Sequence, residues 1–265
     1  MNKIVALLVG SALCLSAQIA LGPTVSTFAV LGGSAVTNTG ATLIGGNLGV
    51  SPSAAITGFP PGLVNGSVHS ADATAGTAQG ELTTAYNTVA GQFCPPGNVL
   101  TGIDLGGLTL TPGVYCFATS AQLTGTLALN AQGNQNGQFV FQIGTALTTA
   151  TTSAVVLINL AQASNVFWQT GTSVTFGATS SLAGNFLALA SISFDNGTSL
   201  QGRALAINGA VTLIGDSIFI SGVSLPGGPA ITPVPSSLIL VTIGLACAGI
   251  YQARQRWLNL ISARG

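Results

Sequence analysis

Apolar residues in the second half of the chain recur in short alternating strands at a nearly constant interval. Val174, Ile192 and Val211 follow one another 18 or 19 residues apart, and a second apolar series, seven or eight residues further on, repeats at the same interval. Short strands that return at a fixed period near 20 residues are typical of a β-helix. We therefore predict a mainly β protein, a discontinuous β-helix (solenoid) with coils of about 18–20 residues.

The same pattern continues towards the amino terminus. Further strands are expected at 113–117, 138–141, 146–148, 155–157 and 166–168, with an insertion in the last of these coils. The segment 35–48 aligns without gaps on the segment 173–186. The N-terminal segment is therefore predicted to be another coil of the same solenoid.

A helical period interrupts the strands at about 70–91. Apolar positions from Ala75 to Val89 follow a 3.6-residue spacing, Ser70 is the expected N-cap, and Gly91 ends the pattern. The apolar stripe consists largely of alanine, which favours packing along one side of the solenoid. We expect one long α-helix that interrupts the solenoid in sequence only.

Charge is scarce, and its scarcity excludes several functions. Charged residues make up 4% of the 265 residues, and Arg203 is the only basic residue between Lys3 and Arg254. Nucleic acid is not an expected partner, because phosphate contacts require clustered Lys and Arg. No catalytic set, metal site or cofactor is predicted, since the few acidic residues and the lone His69 form no such pattern.

The first 22 residues have the layout of a secretory signal peptide: Lys3, an apolar run at 4–15, and then small residues. The apolar run is too short for a transmembrane anchor. We expect export, with cleavage between Ala17 and Gly22.

The other end of the chain also differs from the body. A Pro/Gly-rich linker at 226–237 precedes an apolar segment with a basic tail at 238–265. This arrangement resembles the PEP-CTERM sorting signals of Gram-negative bacteria, although Val234-Pro235-Ser236-Ser237 lacks the acidic residue and second proline of that motif. The segment is expected either to be processed by a sorting protease or to act as a membrane tether with its arginines in the cytoplasm.

Two of the four cysteines belong to the predicted exported body. Cys14 lies in the signal segment and Cys247 in the tail, which leaves Cys94 and Cys116. An oxidising compartment and an even number favour one disulfide over two separate thiols.

Strand alternation assigns small residues to one outer face of the solenoid. If Val174 and Phe176 point inward, Ser173 and Thr175 point outward. The rule gives the pairs Ala35/Thr37, Ala146/Thr148, Ser173/Thr175, Ser191/Ser193 and Ala210/Thr212. Such a flat, uncharged face of methyl and hydroxyl groups suits ice, although Thr and Ser also suit any exposed strand. A second outward row is the alternative face: Leu43, Ala154, Ser181, Ser199 and Ser217.

Several sequence stretches resemble the secreted ice-binding protein family of bacteria, fungi and algae. They are Ser26-Thr27-Phe28-Ala29-Val30-Leu31-Gly32-Gly33-Ser34, Val36-Thr37-Asn38-Thr39-Gly40, 46–52, 105–115 and Asn165-Val166-Phe167-Trp168-Gln169. The resemblance implies a discontinuous solenoid with a flanking helix and one flat ice-binding face. Within it, Thr39-Gly40-Ala41-Thr42 resembles short Thr-Gly-x-Thr patterns on the ice face of some members, so Thr39 and Thr42 join the expected site.

The sequence thus predicts a solenoid body at 23–225 in an exported, monomeric, non-enzymatic protein that adsorbs to the ice surface and inhibits its growth or recrystallisation. The alternative is a cell-surface adhesin or matrix component whose face binds polysaccharide, which the sorting-like tail favours.

Overall fold

A computed structural model of the chain describes residues 18–221, which form a right-angled stack of strands around one core and one helix at its side. In chain order the first strands are β1 (Phe28–Gly32), β2 (Ala35–Thr39), β3 (Leu43–Gly45), β4 (Asn47–Val50), β5 (Ala55–Thr57), β6 (Leu63–Val64) and β7 (Val68–Ser70), followed by helix α1 (Ala73–Ala90). The next are β8 (Thr109–Leu110), β9 (Gly113–Phe117), β10 (Ala121–Leu123), β11 (Thr126–Asn130), β12 (Phe139–Ile143), β13 (Leu147–Thr149) and β14 (Ala154–Ile158). The last are β15 (Val166–Thr170), β16 (Val174–Phe176), β17 (Ser181–Ala188), β18 (Ile192–Phe194), β19 (Ser199–Ala206), β20 (Ala210–Ile214) and β21 (Ser217–Phe219), and three short 3-10 turns lie at Val25–Thr27, Pro96–Asn98 and Ala163–Asn165.

These strands build three faces, and every pairing between them is parallel. The seven-strand face has the spatial order β10-β13-β16-β18-β20-β2-β5. The serine face has the order β6-β3-β21-β19-β17-β14-β11-β8. The helix-covered face consists of β7, β4, β1, the second halves of β19 and β17, β15, β12 and β9. This architecture confirms the discontinuous β-helix predicted from the repeat.

The order of coils in space differs from their order in the chain. β2 pairs with β20, β1 with β19 and β3 with β21, so the N-terminal coil stacks on the C-terminal one. β5, β6 and β7 add one more coil beyond it. The expectation that 35–48 is a solenoid coil is therefore confirmed, and its neighbours are the last strands of the solenoid.

Helix α1 carries the chain from one end of the solenoid to the other. It begins after β7, at one end of the helix-covered face, and is followed by β8 and β9 at the opposite end. Eighteen helical residues rise about 27 Å, and the seven intervals between the eight strands of that face span roughly 33 Å. The length of the helix thus fits the height of the stack that it must cross.

The helix packs by the apolar stripe predicted for it, but its cap differs from the prediction. Ala75, Ala78, Leu82, Ala85, Tyr86 and Val89 are all buried. They pack against apolar side chains of the helix-covered face, among them Val140, Phe167, Leu187 and Leu205. The N-cap is Asp72, whose carboxylate accepts from the Ala75 N–H at 2.8 Å, so the expected cap at Ser70 is wrong. Among residues 18–221, no helix is long and apolar enough to cross a membrane.

Aromatic side chains fill the interior from coil to coil. Trp168 points inward, is 1% exposed, and stacks on Phe141 with ring centroids 3.9 Å apart and on Phe186 at 5.4 Å. Phe176 joins this column edge-on to Phe186 and Phe194. Stacked and edge-to-face pairs stabilise a core beyond the area they bury, by about 0.5–1.5 kcal/mol each.

Gly184 and Gly202 mark the corner where β17 and β19 turn from the serine face to the helix-covered face. Their φ angles are +120° and +152°, and Gly46 holds the equivalent corner of the N-terminal coil at +149°. A Cβ atom at Gly202 would collide with the carbonyl of Gly184 in the next coil. The corner therefore requires glycine both for its dihedral angles and for the close approach of stacked backbones.

Cys94 and Cys116 form a disulfide that ties the segment after helix α1 to β9, with a separation of 22 residues in sequence. The predicted signal segment up to Ala17, the linker at 226–237 and the C-terminal segment at 238–265 lie outside the described residues.

Candidate functional site

One row of side chains runs unbroken along the middle of the seven-strand face. The strand registers align Gln122 with Thr148, Thr148 with Thr175, Thr175 with Ser193, Ser193 with Thr212, Thr212 with Thr37 and Thr37 with Thr57. All seven side chains are exposed or half-buried. Stacked strands lie about 4.8 Å apart, so the row extends roughly 29 Å. We call it the central hydroxyl row, because six of its seven members are Thr or Ser.

A row of still smaller side chains lies two residues before the central hydroxyl row. Ala35 aligns with Ala210 on one side and Ala55 on the other. Backbone bonds from Leu147 N–H to the Ser173 carbonyl and from Val174 N–H to the Ser191 carbonyl keep the other coils in step. The row comprises Ala146, Ser173, Ser191, Ala210, Ala35 and Ala55. Together the two rows form a surface of methyl and hydroxyl groups with short side chains only, apart from Gln122 at one end.

The structure places eleven of the twelve sequence-predicted residues on the surface of the seven-strand face or at its rim. The ten paired residues occupy the two rows, and Thr39 is exposed at the end of β2. Helix α1 covers a different face, so it leaves the two rows open. The Oγ1 atoms of Thr37 and Thr212 lie 3.5 Å apart, which shows how closely the hydroxyls of adjacent coils are stacked.

Thr42 does not belong to this surface, and its inclusion in the predicted site is wrong. It is 0% exposed, and its hydroxyl donates to the side-chain oxygen of Asn38 and accepts from the Asp216 N–H. The equivalent corner position in other coils also carries a buried hydroxyl or carboxylate: Ser153, Ser180, Thr198 and Asp216. These groups satisfy backbone donors and acceptors at the turn between the seven-strand and serine faces, which is why Thr42 points inward.

Sequence reasoning missed two members of the central hydroxyl row. Thr57 ends the triplet Ala55-Ile56-Thr57, which repeats the small–apolar–hydroxyl order of Ala35-Val36-Thr37, so the signal was present in the sequence. Gln122 has no hydroxyl, and only the pairing of β10 with β13 reveals its position. The rim also holds exposed Asp195 and Ile214, so the absence of charge applies to the two rows but not to the edge of the face.

The alternative row on the serine face is also in register. Leu43, Ser217, Ser199, Ser181 and Ala154 stack in that order. Leu63, 62% exposed, extends it at one end, and the neighbouring outward row places Phe219 beside Gln201. Long side chains therefore make the serine face less level than the seven-strand face.

The remaining charged groups serve the fold. Glu81 accepts from the N–H groups of Thr24 and Val25, Asp104 accepts from Gly106 and Thr124 N–H, and Arg203 donates to the Ser26 carbonyl and Asn185. Within residues 18–221, no three His, Cys, Asp or Glu side chains are grouped so as to hold a metal ion.

Asp216 makes the stability of the fold depend on pH. Burial raises its pKa from 3.8 to about 6, against the lowering effect of the Ile214 and Thr198 N–H donors, and the charge of nearby Asp195 raises it further. Because the folded-state pKa lies above the unfolded one, the folded state is stabilised by protonation, and this contribution is lost as pH rises through about 6.

We therefore expect the thermal midpoint to fall between about pH 5 and pH 7. Thermal unfolding followed by circular dichroism over this interval measures the slope. The slope should be smaller in Asp216→Asn, whatever the absolute stability of that variant. An unchanged slope in the variant would show that another group is responsible.

Comparisons with known proteins agree on one family. Residues 30–219 match the model of the family described as Ice-binding-like. The chain is 48% identical over 227 residues to the Ice-binding protein of Nostoc sp. (strain HG1), covering 85% of this chain and 83% of that protein. It is 33% identical over 231 residues to Ice-binding protein 1 of Shewanella frigidimarina, covering 73% of this chain but 25% of that longer protein. Among solved structures, an ice binding protein from an Antarctic Biological Consortium superposes with a TM-score of 0.75 at 46% identity, covering 77% of this chain and 92% of that one.

Proposed function

The chain belongs to the Ice-binding-like family, and we propose that it binds ice through the seven-strand face and so inhibits ice growth or recrystallisation. The observation that carries this proposal is the central hydroxyl row with its flanking row of Ala and Ser, in register over seven strands. The relatives named as ice-binding proteins support it, and they favour it over the polysaccharide-binding adhesin.

The chemistry of the two rows explains why ice is the ligand. Methyl groups of Thr and Ala favour a cage of ordered water above the surface, because they cannot bind water themselves. The Thr and Ser hydroxyls hold that cage at fixed points by hydrogen bonds. Short side chains on a solenoid lose little conformational entropy when the surface docks on a solid, so many weak contacts act together.

Ice crystal growth tests the proposal directly. Single ice crystals held just below their melting point in a solution of the purified protein should become faceted and should stop growing within a finite temperature interval. Growth as smooth circular discs, at protein concentrations where circular dichroism shows a folded β protein, would contradict it. An equally charged-poor β protein without the two rows is the control.

We further propose that the protein is exported from a Gram-negative cell, works as a monomer without catalysing a reaction, and is tethered or sorted through residues 238–265. The layout of the two ends supports export and sorting. The use of the buried or capping charged groups in the fold supports a non-catalytic role. The share of protein released to the medium, with and without residues 238–265, reports whether that segment retains it.

A further inference from the structure

The residues just after Ala17 are built into the fold. Ile19 is 5% exposed and packs in the apolar cluster between helix α1 and the helix-covered face. Its N–H donates to the Gln138 Oε1 at 2.8 Å, and the Gln138 Nε2 donates to its carbonyl at 2.7 Å. One side-chain amide thus satisfies both backbone groups of Ile19, as a neighbouring strand would.

The other end of this short segment is fastened to the helix. The Gly22 carbonyl accepts from the Ser26 N–H at 3.0 Å, and the Glu81 carboxylate binds the next two N–H groups along the chain. A Cβ atom at Gly22 would collide with the Glu81 side chain. Between these ends, Leu21 packs against the same apolar cluster as Ile19. We call Gln18–Gly22 the N-terminal strap.

These contacts restrict where a leader can be removed. Cleavage after Gly22 would discard the strap, leave the Gln138 amide without its partner and uncover the apolar cluster. The bond after Gly22 also precedes Pro23, whose tertiary amide lacks an N–H and has restricted geometry. Cleavage after Ala17 keeps the whole strap, and it leaves a small residue on the amino side of the cut, as export proteases require.

We propose that the export protease hydrolyses the Ala17–Gln18 bond, so that the mature protein begins at Gln18 and the strap is part of its fold. Water adds across this one peptide bond, giving the Ala17 carboxylate and the Gln18 amino group. The proposal rests on the proposed export, but it concerns the chain end and stability and not the ice-binding face.

The site of cleavage is read from the mass of the exported protein. The full chain, produced with its own leader in a Gram-negative host, should yield an N-terminal peptide that begins at Gln18, as glutamine or as its cyclic lactam, which lacks about 17 Da through loss of ammonia. A first residue at Leu21 or Pro23, or a retained Met1, would overturn the proposal.

A pair of chains tests the structural role of the strap. A chain exported so that it begins at Pro23 should have a thermal midpoint roughly 5–10 °C below that of the chain beginning at Gln18, because it loses a buried side chain and two hydrogen bonds. Equal midpoints would show that the strap is dispensable.

Gln138→Leu supplies the matched control. It should lower the midpoint of the chain beginning at Gln18 but have little effect on the chain beginning at Pro23, since the partner of Gln138 is already missing there. Equal effects in both chains would contradict the clamp. Ice-crystal shaping, measured separately on both chains, distinguishes failure of this proposal from failure of the proposed ice binding.

Discussion

The double variant Thr175→Tyr/Thr212→Tyr should lose nearly all inhibition of ice recrystallisation while remaining folded. Both residues belong to the central hydroxyl row, on either side of Ser193, so two phenol rings would stand above a surface of methyls and hydroxyls. A rigid surface held away from the ice by a protruding ring loses many weak contacts at once. The number of protein molecules needed to stop crystal growth should therefore rise by at least an order of magnitude, or inhibition should vanish.

The fold is expected to survive these substitutions because Tyr favours exposed strands and both side chains point to solvent. The change in the free energy of unfolding should stay within about 0.5 kcal/mol for each site. Recrystallisation assays at matched concentrations, with circular dichroism as the check on folding, measure both quantities.

The serine face provides the control for this experiment. Ser181→Tyr/Ser217→Tyr places two rings at outward positions separated by one strand, as in the test variant, but on the other exposed face. This variant should keep its ice activity. If it lost activity while the Thr175/Thr212 variant kept it, the serine face would be the binding surface.

Local patterns in the sequence predicted the elements of the fold but not their order in space. The 18-residue repeat of inward Val174, Ile192 and Val211 places each coil, because a solenoid side chain contacts its equivalents in neighbouring coils. That β2 pairs with β20 depends on contacts between residues about 175 positions apart in sequence, such as that between Thr37 and Thr212. No periodicity carries that information, since any coil could stack on either end of the series.

The limits of the site prediction have a similar origin. Alternation orients residues correctly while the chain is extended, which is why the two rows were found. At the corner the chain turns, alternation no longer applies, and Thr42 faces the interior. Asp72 replaces Ser70 as the helix cap for the same reason, because the cap is decided by where β7 ends and not by the apolar period.

Trp168→Ala is expected to have the largest effect on stability. Its indole is stacked between Phe141 and Phe186, and its Nε1–H donates to the Ala183 carbonyl at 3.1 Å. Removing it leaves a cavity that the two flanking rings, held in separate coils, cannot fill, and such a truncation costs about 3–5 kcal/mol. Trp168→Phe keeps a stacked ring and loses the hydrogen bond, for an expected cost of about 2 kcal/mol.

Urea unfolding of the three proteins measures these differences, and equal losses in the Ala and Phe variants would contradict the stacking argument. The same variants separate stability from binding. Trp168 lies inside the solenoid, so Trp168→Ala should still shape ice crystals at temperatures where it remains folded, whereas the Thr175/Thr212 variant should be stable and inactive. Loss of ice activity in a folded Trp168→Ala protein would mean that the level of the two rows depends on the packing of the interior, and that the face is set by the core as much as by its own side chains.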